Sequence, residues 1–314
     1  MINSKIKHPL VSIVVITYNS SQYVLETLES TKNQTYKNIE LIISDDASND
    51  NTIEICNEWL TKNQQCFVDA KILTSKINTG ISANCNRGLQ RAKGEWIKYI
   101  AGDDLLLENC IADNIQYIIN HEEARFIFSN VIIRKSDNTT SLWLLSKKRF
   151  NKSAQDQFLY ILKNISSFTS TPSSFMYLKT LKKLGGFNTD YPNFEDQPLW
   201  FNITKNGYKL HLLDQLTVLY RKHDFSVSEN YVKNKDGAEK FFKESFKKFF
   251  KEIKLKELHR RRLCLHYLST QIFICVKELS ILYPKYSKIL YFLNYISPIF
   301  TIRKIKQVIR ETIN

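Results

Sequence analysis

Paired carboxylates are the residues of this chain best suited to chemistry. Asp103 and Asp104 follow the apolar run Trp96–Ala101, and Asp45 and Asp46 follow Ile39–Ser44. Two aspartates at the end of a buried strand can bind a hard divalent cation through oxygen and leave coordination positions for phosphate. The same dipeptide also serves turns and helix caps, and Ser48, Asn49 and Asp50 after the earlier pair suit that use equally. A third pair, Glu195-Asp196, precedes Leu199 and Ile203 at helical spacing. A carboxylate there can take the proton of a hydroxyl nucleophile, or the pair is simply the acidic first turn of a helix. Downstream, Tyr220-Arg221-Lys222-His223 offers His223 as a metal or phosphate ligand and Arg221 as a countercharge for a diphosphate; the alternative is an unspecialised histidine after a strand.

Positioning these groups requires a sheet. Over the first 130 residues short β-branched runs alternate with helical patterns, the signature of βαβ units. Strands are expected at Val11–Thr17, Ile39–Ser44, Asp69–Leu73, Trp96–Ala101 and Arg125–Ser129. Val24, Leu28 and Thr31 mark one helix face, Ile53, Cys56 and Leu60 another, and Asn51 with Glu54 resembles a capping arrangement. Ligands of such sheets bind beyond the carboxyl ends of the strands. Those ends carry Thr17-Tyr18-Asn19, Asp45-Asp46 and Asp103-Asp104, so three strands deliver polar groups to one rim. From residue 131 to about 230 the segments are shorter: an extended Pro172–Met176, a helix at Lys179–Leu184, a Gly185-Gly186 turn and extended chain over Leu210–Tyr220.

Val11–Thr52 and Asn78–Asp104, taken with the later GGFN (185–188), FEDQPLW (194–200) and YRKH (220–223), resemble family 2 glycosyltransferases of the GT-A fold. The match in order and spacing covers roughly the first 110 residues and reaches about residue 228. The resemblance implies a GT-A-like, Rossmann-type, mainly parallel sheet flanked by helices, and inverting transfer from a nucleotide-sugar donor, a UDP-sugar in particular. It implies that Thr17 and Tyr18 lie by the nucleotide base, with Asn19 also in the donor site, that Asp46 bonds the base, and that Asn86 and Arg87 flank the donor pocket. Asp103 would contact the ribose, and Asp104 would ligate Mn²⁺ or Mg²⁺ at the diphosphate. Asp196 would be the catalytic base, with Glu195 sharing or orienting. Many members carry an aspartate two positions before the pair; here it is Ala101, which puts the metal chiefly on Asp104.

Composition bounds the alternatives. With 43% hydrophobic residues, 8 Gly and 6 Pro, the 314-residue chain is globular rather than low-complexity. Its net charge of +14 is lopsided, because 17 Lys and Arg against 6 Asp and Glu fall in residues 238–314. The expected organisation is a catalytic domain at 1–230 (donor half 1–130, acceptor half 131–230) and a helical, basic C-terminal region at 231–314. In that region Phe241, Phe242, Phe246, Phe249 and Phe250 interleave with lysines, which suits either an amphipathic surface on an anionic membrane or an aromatic face packed internally. Nucleic acid as a partner is not expected, since no nucleic-acid module accompanies the charge. A nucleotidyltransferase on a similar sheet is the rival enzyme, but neither GxGxxG nor GxxxxGK[ST] occurs. The six cysteines form no CxxC pair and suggest neither zinc nor a disulfide framework. Leu10–Ile16 is read as a first strand and not a leader, and no run of about 18 apolar residues occurs. A cytoplasmic protein on the inner face of the membrane is the expected setting, with a saccharide or polyprenyl-diphosphate-linked acceptor for polysaccharide of O-antigen or capsule type.

Overall fold

The structure is a computed structural model that describes residues 8–164, 168, 169, 171–223, 226 and 235–282. The chain divides into two compact units, one formed by residues 1–158 and 167–223, the other by 159–166 and 224–314.

The first unit is built on a nine-stranded mixed sheet. Its strands are β1 (Val11–Thr17), β2 (Ile39–Asp45), β3 (Asp69–Thr74), β4 (Trp96–Ala101), β5 (Leu105–Leu106), β6 (Phe126–Arg134), β7 (Thr140–Trp143), β8 (Ser174–Tyr177) and β9 (Leu210–Arg221). The spatial order is β3-β2-β1-β4-β8-β6-β9-β5, with β7 as a hairpin partner of β6. The first four strands are mutually parallel, whereas β8 enters antiparallel to both β4 and β6 and β9 runs parallel to β6. Helices α1 (Val24–Lys32), α2 (Thr52–Asn63), α3 (Ile81–Arg91) and α4 (Cys110–Asn120) lie between the strands of the first half, and the short α5 (Lys147–Phe150), α6 (Ala154–Lys163) and α7 (Leu178–Lys183) follow.

β1 and β2 are Val/Ile runs because they lie inside a sheet covered on both faces, where β-branched side chains pack well and no polar face is needed. Val11, Ile13, Val15, Leu41, Ile43, Trp96 and Ile100 meet Val24, Leu28, Cys56 and Ile111 in one buried cluster. α3 approaches β1 closely: a Cβ on Gly88 would stand 2.4 Å from Val14 Cγ1, so this helix position needs glycine despite its entropy cost. The cap of α2 differs from expectation. Asn51 makes no side-chain capping bond; Asp50 Oδ1 instead accepts from Thr52 N and Oγ1 at 3.1 and 2.5 Å, and its Oδ2 accepts from Ser21 N. The loop before α8 (Asp196–Lys205) is tied to α3 by side chain-to-backbone bonds: Ser82 Oγ donates to the Tyr191 carbonyl, and Asn86 brackets Phe187 by donating to its carbonyl at 2.6 Å and accepting its N–H at 2.9 Å. These bonds set where α8 begins.

In the second unit, helix runs from α9 (Lys235–Phe241) through two wide π-type stretches to α10 (Lys256–Arg260), and α11 (Cys264–Leu282) follows. Phe242, Phe249, Phe250, Leu255 and Leu258 are buried. Phe246 stacks on Phe242 and Phe250 and touches Phe273 of α11. The aromatic side of residues 241–250 is therefore largely a packing face. No described helix is long and apolar enough to cross a membrane. Residues 289–309, with their aromatic and basic pattern, lie outside the described residues.

Candidate active site

The strand ends β1, β2 and β4 form the rim that the sequence pattern anticipates, and the two aspartate pairs on it have opposite surroundings. At the end of β2, Asp45 accepts from Thr17 Oγ1 (2.8 Å), Ser48 N (2.9 Å) and Ser48 Oγ (2.5 Å). These bonds hold the turn in which Ala47 takes φ 66°, a left-handed conformation that costs a non-glycine residue energy. Asp46 accepts four bonds, from Thr79 N and Oγ1, Gly80 N and an Arg87 guanidinium nitrogen, at 2.6–2.9 Å. A carboxylate has about four lone-pair sites, so the group is saturated. Arg87 adds bonds to the Asp45 carbonyl and Asn84 Oδ1. Asn86 is engaged with the Phe187 backbone, as above. Thr17 and Asn19 are also engaged: Asn19 Oδ1 accepts Asn49 N–H and its own N–H donates to Ser48 Oγ. Tyr18 and Asn19 are exposed, whereas Thr17 is buried.

At the end of β4, Asp104 is fully buried. Its Oδ1 accepts the Arg221 N–H at 2.8 Å, and its Oδ2 has no hydrogen-bond partner among the described residues. Burial first, and the neighbouring Asp103 charge second, push its carboxyl well above the ordinary aspartate range. Asp103 is the more accessible member, and its Oδ2 lies 3.0 Å from His223 Nε2. The His223 ring packs 4.5 Å from Tyr23, whose other contact is the Arg221 guanidinium 4.4 Å above the ring. Arg221 also pairs with Glu26 at 2.8 Å. Tyr23 and Glu26 carry no local sequence signal, since their partners lie about 200 residues on. Lys98 is a different case. It is a fully buried lysine inside β4, donating to the Pro172 carbonyl at 2.5 Å, and a lone charge in an otherwise apolar central strand is visible in the sequence.

Glu195 and Asp196 stand at the start of α8. Burial first, then the Asp196 charge, raise the Glu195 carboxyl to about 7. Glu195 Oε1 accepts from Thr171 Oγ1 at 3.4 Å, and Asp196 Oδ1 accepts the Gln197 N–H at 2.5 Å. A carboxyl titrating near neutrality beside a second carboxylate suits proton abstraction.

Among the described residues no group of three or more His, Cys, Asp and Glu side chains is close enough to hold an ion by itself. The Asp103–His223 pair, backed by the unpartnered Asp104 Oδ2, nonetheless fits a hard cation that takes its remaining ligands from phosphate and water, the usual habit of Mg²⁺ with nucleotides.

The profile of Glycosyl transferase family 2 matches residues 12–184, more than half of the chain. This chain belongs to glycosyl transferase family 2. As a family 2 glycosyltransferase it is an enzyme acting on nucleotide sugars. It is 31% identical over 264 residues (82% of this chain, 92% of the relative) to the Escherichia coli UDP-Glc:alpha-D-GlcNAc-diphosphoundecaprenol beta-1,3-glucosyltransferase WfaP. The Staphylococcus aureus protein TarS, solved with UDP-GlcNAc, shares its fold with a TM-score of 0.55 at 17% identity, over 91% of this chain and 89% of the other. The Pyrobaculum calidifontis mannosyltransferase PcManGT, solved with GDP-Man and Mn²⁺, gives a TM-score of 0.56 at 16% identity, over 87% and 74%.

Proposed function

We propose that the enzyme transfers a sugar, with inversion, from a UDP-sugar to a hydroxyl of a saccharide carried on a polyprenyl diphosphate, in the assembly of a surface polysaccharide of O-antigen or capsule type at the inner face of the cytoplasmic membrane. The carrying observation is the Asp103–His223 pair beside the buried, half-satisfied Asp104 carboxylate at the end of β4. The WfaP name, which joins a UDP-sugar donor to a diphosphoundecaprenol acceptor, supports the choice of substrates. The PcManGT complex with Mn²⁺ supports a divalent ion.

In this reading Tyr18 presents its exposed ring to the base. Asp46 works through the Thr79–Gly80 turn that it holds, with Arg87 completing that frame. Asp103 and His223, with Asp104 next to them in the chain, would hold Mn²⁺ or Mg²⁺, which when bound would supply charge stabilisation to the nucleotide leaving group. Arg221 fixes Asp104 by its backbone and, held by Glu26 and Tyr23, keeps a positive charge at the same rim. Asp196 accepts the proton of the acceptor hydroxyl as the new glycosidic bond forms, and Glu195 tunes it by sharing charge.

The test is a panel of nucleotide sugars scored for divalent-dependent turnover. Asp196→Asn is expected to bind donor as the parent does and to lose at least about a hundredfold in turnover. Full turnover by Asp196→Asn removes it as the base, and donor hydrolysis indifferent to chelator removes the ion.

A further inference from the structure

Leu142, Trp143 and Leu144 are 58%, 36% and 61% exposed, the only three consecutive large apolar residues exposed among the described residues. Leu142 and Trp143 end β7, the outer strand of the β6–β7 hairpin, and Leu144 follows it. Register sets Leu142 beside Ile132 and Trp143 beside Val131, and all four residues of β7 are exposed. Leu145, which follows, is buried with its N–H on Asn130 Oδ1, so the exposed run is anchored at its base. Around it the chain is basic: residues 134–152 hold Arg134, Lys135, Lys147, Lys148, Arg149 and Lys152 against Asp137 alone. Asp214 of β9 offsets one of these by pairing with Lys147. An exposed apolar segment with a tryptophan on one face of the strand and leucines on the other, flanked in sequence by lysine and arginine, matches the chemistry of a bilayer interface with anionic headgroups.

The hairpin is also tied to the site. Lys222 N donates to the Arg134 carbonyl at 2.8 Å, and Ser136 Oγ donates to the Lys222 carbonyl at 3.2 Å. Lys222 stands immediately before His223, the partner of Asp103.

We propose that the β6–β7 hairpin and the basic turn Lys147–Lys152 are the surface by which the enzyme docks on an anionic phospholipid bilayer. The docking brings the Asp103–His223 rim to the plane in which a lipid-linked acceptor lies. Only that purpose rests on the function proposed above; the docking itself needs neither donor nor acceptor.

Trp143 supplies its own probe, because Trp59, Trp96 and Trp200, the other three tryptophans, are 5%, 3% and 0% exposed. Full-length protein mixed with phosphatidylglycerol-containing vesicles is expected to show a blue shift of tryptophan emission and loss of acrylamide quenching, both abolished in Trp143→Phe. Vesicles of phosphatidylcholine alone should give neither. In flotation, Leu142→Ser/Leu144→Ser and Lys148→Gln/Arg149→Gln are each expected to reduce the bound fraction at least about tenfold. UDP binding by calorimetry should stay at the parental value in both variants, which shows that they are folded. Undiminished flotation of either variant overturns the proposal. So does loss of flotation confined to Leu265→Ser/Leu268→Ser, whose leucines are exposed on α11. The outer edge of β7 also offers unpaired strand groups to a second copy. If light scattering shows an oligomer that dissociates in Leu142→Ser/Leu144→Ser while vesicle binding is absent, the surface is a protein interface instead. Absence of UDP binding by the parent would count against the donor assignment and leave the vesicle result untouched.

Discussion

The two Asp-Asp pairs are identical as dipeptides and sit at the ends of strands on either side of β1, yet the protein uses them in opposite ways. Asp45 and Asp46 accept seven hydrogen bonds between them. Asp103 and Asp104 share a histidine and one backbone N–H, and one buried oxygen has no partner among the described residues. In Asp46 all of the carboxylate's about four acceptor sites go into holding the Thr79–Gly80 turn and Arg87. A buried carboxyl with spare hydrogen-bonding capacity is costly to the fold, and under the proposed function a ligand takes up that capacity.

That contrast breaks or sharpens under substitution. The largest expected effect is on catalysis: Asp103→Ala or Asp104→Asn should lower sugar transfer at least about a hundredfold with the melting temperature little changed, since Asp104→Asn keeps the shape and the oxygen that accepts the Arg221 N–H. Next, Asp46→Ala should cost about 3 kcal/mol of stability in urea unfolding, because Arg87 and three other donors lose their acceptor together. A stable Asp46→Ala and an unfolded Asp104→Asn would reverse the contrast. A pH effect comes third. Glu195 is protonated in the folded enzyme up to about pH 7, so kcat/KM should rise with pH through about 7 and the acid limb should move to lower pH in Glu195→Gln. The same shift means that the folded state holds an extra proton between 4.5 and about 7, so this group's contribution to stability falls as pH rises across that window. The smallest effect concerns the C-terminal unit. Lys254 is buried with its ammonium on the Asn164 carbonyl, and burial brings it down to about 7. The unfolded chain binds more protons between about 7 and 10.5, so helix stability followed by circular dichroism should rise with pH there. Lys254→Met should flatten the slope.

The legible parts of the fold were those fixed by burial alone. β1 and β4 run over Val11–Thr17 and Trp96–Ala101 as expected, because a strand enclosed on both faces reads as an uninterrupted apolar run. β6 outlasts the expected Ser129 by five residues, because its continuation is paired by β7 and by the shifted register of β9 and not by an apolar pattern of its own. The later half is likewise mixed, since antiparallel β8 depends on pairings set by the whole sheet. At the site, the acidic pairs and Arg221-Lys222-His223 were legible as residue types at strand ends. Their division of labour was not, because it depends on contacts such as Arg221 with Glu26 and Asp103 with His223. Whole-chain charge misled in one place: the near-neutral first three quarters contain the locally basic stretch 134–152, hidden by averaging.

The most direct test of the central contrast is isothermal titration of UDP into parent, Asp103→Ala and Asp104→Asn proteins, with Mn²⁺ and with chelator. The geometry predicts that Mn²⁺ tightens UDP binding to the parent at least about tenfold, and that both variants bind UDP weakly and equally with or without the ion while melting as the parent does. Equal strengthening by Mn²⁺ in all three proteins would contradict it.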